Sequence, residues 1–398
     1  METLVREKVQ GFIQGILEEE VNDFLGRGRS ERRSERIDVS PGYRNGYGKS
    51  RRLSLMGGTV TLRRPRVRAT EAKFESLILP LFARRTKEVT EMLPELYLHG
   101  LATGDFELAL RGLLGEGAPL SAASIQRLKA KWQLEYESWK GQDLSSLKIV
   151  YQWADGLYVK AGLEKDKAAL LVVIGADING HKQILACESG YRESRESWGG
   201  ILRGLKGRGF QLGRLTVADG NLGIWAALRD IHPRGEEQRC WNHKIVNVLD
   251  RFPKRLRGEA RELLCLIPYA ETQKECEKRR DDFIDRYKSD QTKACEILMN
   301  DWERMVTFYS FPKEHWSHLR TTNVVESPFN AIRLRTNAVR RYKKVQNATA
   351  MIWRLLMVAE KRFRILKGSE KLEGVCEGRQ YKDGNETKTN LQTERMAA

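Results

Sequence analysis

The pattern that most constrains this chain begins at Leu147, where short apolar runs rich in β-formers start to alternate with turn signals. Lys148–Ala154 is the first run and ends at Asp155; Leu157–Lys160 and Ala168–Ile174 follow. Asn179–Gly180 is a hairpin turn signal leading into Gln183–Cys187. Ser194–Leu205 then reads as a helix that Gly207–Gly209 ends. Leu212–Ala218 reads as a strand closing at Asp219, and Leu222–Arg229 as a further helix. Three strands in hairpin order followed by helix, strand and helix predict an α/β domain with a mixed sheet.

Two of these segments close on an acid. Asp155 and Asp219 each end an apolar run and precede a glycine, which places them at the carboxyl ends of strands, where open α/β sheets carry their sites. A third acid, Glu326, stands near the start of the helix opened by TTNVVESPFNAIRLRTNAVRRYKK. Pro328 lies two residues on, in a first turn that tolerates proline. Three carboxylates brought together repel one another and need a proton or a divalent cation. Hard oxygen ligands of this kind suit Mg²⁺ or Mn²⁺. The chemistry expected is two-metal phosphoryl transfer, with Asp155 bridging two ions, Asp219 holding one and Glu326 the other. Spacing alone leaves an ordinary capping or surface role open for each acid.

Charge narrows the partner. The 398 residues carry a formal net charge of +17 with 31% charged residues, and the pI is about 9.6. Such a surplus favours a polyanion, nucleic acid ahead of an anionic membrane surface. No apolar run reaches the roughly 18 residues of a spanning helix. The opening METLVREKVQ lacks the apolar core of a secretory signal, so an intracellular protein without a membrane partner is expected. Cys187, Cys240, Cys265, Cys276, Cys295 and Cys376 show no framework spacing and read as reduced thiols.

The N-terminal part supplies candidate DNA contacts. Leu4, Val5, Val9, Phe12, Ile13, Ile16, Leu17, Val21 and Phe24 mark one amphipathic helix, and Gly26 to Arg36 a flexible basic loop. In SPGYRNGYGKSRRLSLMGGTVTLRRPRVR, Gly57–Gly58 between two alternating segments signals a hairpin. Arg44, Arg51, Arg52, Arg63, Arg64, Arg66 and Arg68, interleaved with Tyr43 and Tyr47, would line that ribbon and neutralise phosphates. A solvated charged face is the plain alternative. Residues 86–140 read as helices with breaks at Gly100–Thr103 and Pro119–Ser121, Ser121 capping Ala122–Trp132. Arg127, Lys129 and Lys131 on that last element suit a helix-turn-helix, a pattern that purely structural helix pairs share. Residues 241–310 read as helices punctuated by Pro253 and Pro268, Ala348–Phe363 as another, and the chain from 367 as a disordered tail. The divisions expected are 1–80 (helix and basic ribbon), 81–145 (helical, DNA-binding), 146–240 (core, first part), 241–320 (helical insertion), 321–366 (core completion) and 367–398 (tail).

Seven stretches, taken together, resemble one family: RNGY at 44–47, VTLRRPRVR at 60–68, ADGLYVK at 154–160, ESWGGILRGLKGRGF at 196–210, TVADGNLGIWAAL at 216–228, QRCWNHKIVNVLDRFPK at 238–254 and TTNVVESPFNAIRLRT at 321–336. In order and spacing they are similar to the bacterial Mutator-type DDE transposases, from the N-terminal region to about residue 360. The resemblance implies an RNase H-like mixed-sheet core, interrupted before the glutamate by an α-helical insertion that 241–318 fits, behind a mainly helical DNA-binding region. It makes Asp155 and Asp219 the catalytic aspartates and Glu326 the catalytic glutamate, holding two Mg²⁺ or Mn²⁺ ions. Arg333, two helical turns beyond Glu326, would contact DNA near the cut, with Arg335 beside it. Ser327–Pro328 and the interrupted Arg333–Leu334–Arg335 depart from the family's usual residues there.

Cys240 and His243 match the family's Cys-x-x-His signature. A structural zinc needs four ligands, and only His315 and His318 remain as further candidates, so a packing or hydrogen-bonding role beside the site is expected. Trp198, Trp225, Trp241, Trp302, Trp316 and Trp353 have apolar neighbours and are expected in the core rather than stacked on bases. The implied activity is hydrolysis at transposon ends followed by attack of the freed 3′-hydroxyl on target DNA. The implied partners are double-stranded DNA and a second copy of the chain, as a homodimer or higher oligomer; the implied location is the bacterial cytoplasm at the nucleoid. A non-enzymatic DNA-binding regulator and an RNase H-like nuclease that cuts without joining are the competing readings.

Overall fold

The computed structural model describes residues 2–31, 41–79, 84–98, 109, 111, 113–114, 122–161, 167–190, 192–220, 222–338 and 342–387. They fall into two compact units, 1–128 and 129–398.

In the first unit, α1 (Glu2–Leu25) lies on a ribbon of four short strands, β1 (Tyr43–Tyr47), β2 (Arg51–Leu55), β3 (Gly58–Leu62) and β4 (Pro65–Arg68). The strands are nested: β2 pairs β3 across the Met56–Gly57 turn, and β1 pairs β4 outside them. The expected hairpin is therefore present, with a second pair enclosing it. Leu17 of α1 meets Leu53, Val60, Leu62 and Leu79 in a small core. The edge of β3 is closed by glutamines: Thr61 N donates to Gln10 Oε1 (3.1 Å) and Arg63 N to Gln14 Oε1 (3.0 Å). This satisfies backbone groups that a bare edge would leave to another chain. Helix α2 (Lys87–Leu98) follows. The break at Gly100–Thr103, the cap Ser121 and residues 32–36 of the basic loop expected at 26–36 lie outside the described residues.

Helix α3 (Ala122–Lys140) leads to the second unit, built on a five-stranded sheet. Its strands are β5 (Ile149–Lys160), β6 (Lys167–Asp177), β7 (Lys182–Gly190), β8 (Leu215–Ala218) and β9 (Glu236–Arg239), in the order β7-β6-β5-β8-β9. The first three are antiparallel neighbours, whereas β8 and β9 run parallel to β5. The mixed α/β sheet read from the sequence is thus observed. Helices α4 (Arg195–Gly207) and α5 (Leu222–Ile231) cover one face, where Trp198, Ile201, Leu202, Trp225 and Leu228 pack with Ala154, Leu171 and Ala218. Ser194 caps α4 by accepting from Ser197 N.

Between β9 and the next core helix runs a helical stretch, α6 (Trp241–Leu249), α7 (Arg257–Leu266), α8 (Gln273–Tyr287), α9 (Thr292–Met299), α10 (Trp302–Val306) and α11 (Trp316–Leu319). Helices α12 (Asn323–Ala338) and α13 (Val345–Glu360) return to the sheet, α12 against β5 and β6, α13 against β7. The stretch from 367 is built as far as Thr387, contrary to expectation: α14 (Leu372–Cys376) precedes a two-stranded hairpin, β10 (Tyr381–Lys382) and β11 (Asn385–Glu386). Its few apolar residues Leu372, Val375 and Tyr381 are all buried, which is enough to anchor a polar segment. Residues 388–398 of the expected tail lie outside the described ones.

Candidate active site

Asp155 does not end its strand. β5 continues to Lys160 because β6 pairs with it along its whole length, Asp155 facing Val172 in register. What ends beside Asp155 is β8, whose last pair with β5 is Ala154↔Ala218. Asp155 and Asp219 therefore follow directly from one cross-strand pair of parallel strands. Period-two alternation puts Ala154 toward α4 and α5, and Asp155 toward the opposite face, where α12 packs. Glu326 sits in the first turn of α12. That helix begins earlier than expected, so Pro328 falls inside it.

His243, on α6, connects the acids. Its Nδ1 is 3.8 Å from both Asp219 Oδ1 and Glu326 Oε1. Asp155 is 8% exposed, and burial pushes its carboxyl up to about 7, with the charge of Glu326 adding to the shift and that of His243 opposing it. For His243, burial opposes the charge, but the hydrogen bond with Cys240 and the carboxylates of Asp219 and Asp155 outweigh it and push the imidazole up to about 10. The surroundings thus favour a protonated His243 beside Asp219 and Glu326. Asp155 Oδ1 accepts from Gly156 N (2.8 Å) and Asp219 Oδ1 from Gly220 N (2.5 Å), which fixes one oxygen of each.

Sequence reasoning missed Thr322. Its amide donates to Cys240 Sγ (3.3 Å) and its hydroxyl to Glu326 Oε1, with Cys240 Sγ 3.2 Å from the same hydroxyl oxygen. No local pattern marked it: Glu326 stands four residues on, one beyond the spacing of a capping box. Cys240 Sγ, a ring nitrogen of His243 and a carboxylate oxygen of Glu326 lie within 4.8 Å of one another, the tightest set of metal-capable atoms among the described residues; Asp155 and Asp219 stand outside that tight group. His315 bonds Tyr151 (2.7 Å) and Gly368 O (2.9 Å), and His318 Nε2 accepts from Lys367 N (3.3 Å), so neither adds a zinc ligand to Cys240 and His243.

The expected DNA contacts divide by exposure. Arg333 is exposed on α12, 3.5 Å from Asn330. Arg335 is 1% exposed and does not present its charge at the surface: it continues the buried stripe Val325, Phe329 and Ile332, at helical spacing. In the first unit Arg52, Arg63 and Arg66 are exposed, Arg63 over the Tyr47 ring (5.3 Å). Arg51 and Arg64 are half-buried, Arg64 donating to Phe74 O (3.2 Å). Arg44 is engaged by α1 through Glu18 (3.3 Å) and Asn22. Arg127 is exposed and Lys129 half-exposed on α3. Trp198, Trp225, Trp241, Trp316 and Trp353 are buried, as core residues should be, and Trp302 is half-buried under Arg280.

Comparison with known proteins gives the family. The family model for transposases of the Mutator family matches residues 1–364. The chain is 39% identical over 296 residues to the transposase for insertion sequence element IS6120 of Mycolicibacterium smegmatis, covering 74% of this chain and 92% of that protein. It is 35% identical over 292 residues to the transposase for insertion sequence element IST2 of Acidithiobacillus ferrooxidans (73% and 99% covered). It is 25% identical over 374 residues to the transposase for insertion sequence element IS256 in transposon Tn4001 of Staphylococcus aureus (89% and 94% covered). The chain belongs to the Mutator family of transposases. It is an enzyme of DNA transposition, like those encoded by insertion sequence elements. No helix among the described residues is long and apolar enough to cross a membrane.

Proposed function

We propose that residues 146–240 and 321–366 form an RNase H-like core whose Asp155, Asp219 and Glu326 cut DNA at transposon ends and join the freed 3′-hydroxyl to target DNA. The observation that carries this reading is the gathering of Asp219 and Glu326 about His243, beside the buried Asp155, where β8 stops. The sheet order supports the core assignment: three antiparallel strands, then two parallel to the first.

The donor set fits a hard divalent cation. Three carboxylates offer oxygen ligands, and a carboxyl buried as Asp155 is favours a compensating charge. Asp155, Asp219 and Glu326 would hold Mg²⁺ or Mn²⁺, as two ions. When bound, such ions activate an attacking oxygen and stabilise the leaving one. The chain's own residues do the rest. Gly156 N and Gly220 N each hold one oxygen of an aspartate, and Thr322 orients Glu326. His243 balances charge between Asp219 and Glu326.

In this reading residues 1–145 recognise the terminal inverted repeats, with exposed Arg52, Arg63 and Arg66 on the ribbon as phosphate contacts. Residues 241–320 are the helical insertion, and Arg333 reaches DNA near the cut. Synapsis of two ends requires a homodimer or higher oligomer on DNA, and the site of action is the bacterial nucleoid. The test is a strand-transfer assay on DNA carrying the inverted repeats that flank the gene. Cleaved and joined products are expected with Mg²⁺ and none with EDTA. Cleavage without joining would reassign the protein as a nuclease, and products in EDTA would remove the metal from the account.

A further inference from the structure

Helix α1 carries apolar residues on two faces, and the first unit buries only one of them. The buried stripe is Ile13, Leu17, Val21 and Leu25, spaced four apart. Leu4, Val5 and Phe12, which the sequence groups with that stripe, lie outside it and are 59%, 53% and 70% exposed. At 3.6 residues per turn, Lys8, Phe12, Gly15 and Glu19 share a strip about 60° wide opposite Leu17, with Leu4 and Val5 at its margins. All four are exposed, and a Cβ added at Gly15, or at Gly11 beside it, would meet nothing within 4 Å. A helix apolar on its outer face as well as its inner one needs a partner there.

The charges on the strip select the partner. Glu19 lies within it and Asp23 at its margin, against the single cation Lys8, so a phosphate backbone is disfavoured. A second copy of the same helix is favoured. When two α1 helices cross antiparallel about a two-fold axis between Ile13 and Gln14, Lys8 of each copy stands level with Glu19 of the other, and Phe12 level with Gly15. Opposite charges then meet twice, and the missing side chain at Gly15 leaves room for the Phe12 ring. A parallel pair would instead set Lys8 on Lys8 and Glu19 on Glu19. Self-complementarity of this kind is what a two-fold contact requires. We propose that the outer face of α1 is a homodimer interface, two copies pairing antiparallel through Phe12, Gly15 and the Lys8–Glu19 charges. This surface supplies the homodimer of the proposed function, and it is testable without DNA or metal.

The test is sedimentation velocity of the full-length protein over a concentration series, with the melting temperature of each variant read alongside. Wild type is expected to pass from monomer to dimer as concentration rises. Phe12→Asp should raise the dimer dissociation constant at least about tenfold. Lys8→Glu and Glu19→Lys each set like charges face to face twice, and each should raise it about three- to tenfold. The double variant Lys8→Glu with Glu19→Lys restores both pairs and should return to within about threefold of wild type. These side chains are exposed, so melting temperatures should not move. A wild type that stays monomeric at every concentration would overturn the proposal. A dimer that Phe12→Asp and Lys8→Glu leave unweakened would overturn this surface while leaving the carboxylate site untouched. A double variant no tighter than the single ones would overturn the antiparallel pairing. Should Phe12→Asp melt early, the charge exchange decides: recovery in the double variant supports the interface, and its absence overturns it.

Discussion

Thr322 carries more of the site than its size suggests, because a single hydroxyl and its own amide reach Cys240 and Glu326 at once. Removing the hydroxyl leaves Glu326 free to turn about its side-chain torsions at the moment it must hold position. Thr322→Val, nearly isosteric in this buried position, should therefore slow single-turnover cleavage by roughly 10- to 100-fold while DNA binding persists. Thr322→Ser should stay close to wild type; equal rates in the valine and wild-type proteins would show that Glu326 needs no such support. His318 gives a separate prediction about acid stability. Burial lowers its imidazole from 6.5 to about 4, with the charge of Lys182 adding to the shift. The unfolded chain then takes up a proton near pH 6.5 that the folded protein refuses until about pH 4. Stability contributed by neutral His318 is full above pH 6.5 and is lost as the pH falls toward 4. Chemical denaturation across that range should show wild type losing stability faster than His318→Gln; parallel curves would mean that His318 titrates normally.

At the scale of elements, β5 shows what a sequence makes legible and what it hides. The apolar run before Asp155 marked the strand, and the two DG pairs marked the site, because alternation and turn chemistry are local. That β5 runs on past Asp155 depended on β6, whose full-length pairing no local pattern expresses. β9 is the sequence EEQR and was invisible for the same reason: its parallel pairing with β8 overrides poor strand propensity. Arg335 looked like a surface base in a run of basic residues, yet the period of α12 turns it inward. Thr322 lies in a loop, where contacts between distant segments decide a residue's role. The apolar face that α4 and α5 share with the sheet is tightly filled, and Leu171 at its centre is fully buried. Leu171→Ala should cost about 2–5 kcal/mol in urea denaturation. A loss under 1 kcal/mol would mean that this face collapses around the gap.

At the scale of the whole molecule, the proposed function makes phosphate contact by the exposed arginines of the ribbon, in a chain with a surplus of +17, the dominant contribution to DNA affinity. The logarithm of the binding constant should fall linearly with the logarithm of salt concentration, and Arg52→Ala or Arg66→Ala should each lower that slope by about one contact. A slope unchanged in both variants would move the phosphate contacts elsewhere. Binding and chemistry are then separable, and that separation gives the most direct examination of the carboxylate site. The decisive measurement is single-turnover cleavage of a radiolabelled transposon-end duplex in Mg²⁺ by Asp155→Asn, Asp219→Asn and Glu326→Gln, with end binding measured on the same preparations. Cleavage should fall below detection in all three while binding remains within a few-fold of wild type. A near-wild-type rate in any one of them would contradict the assignment of that acid and, with it, the three-carboxylate site.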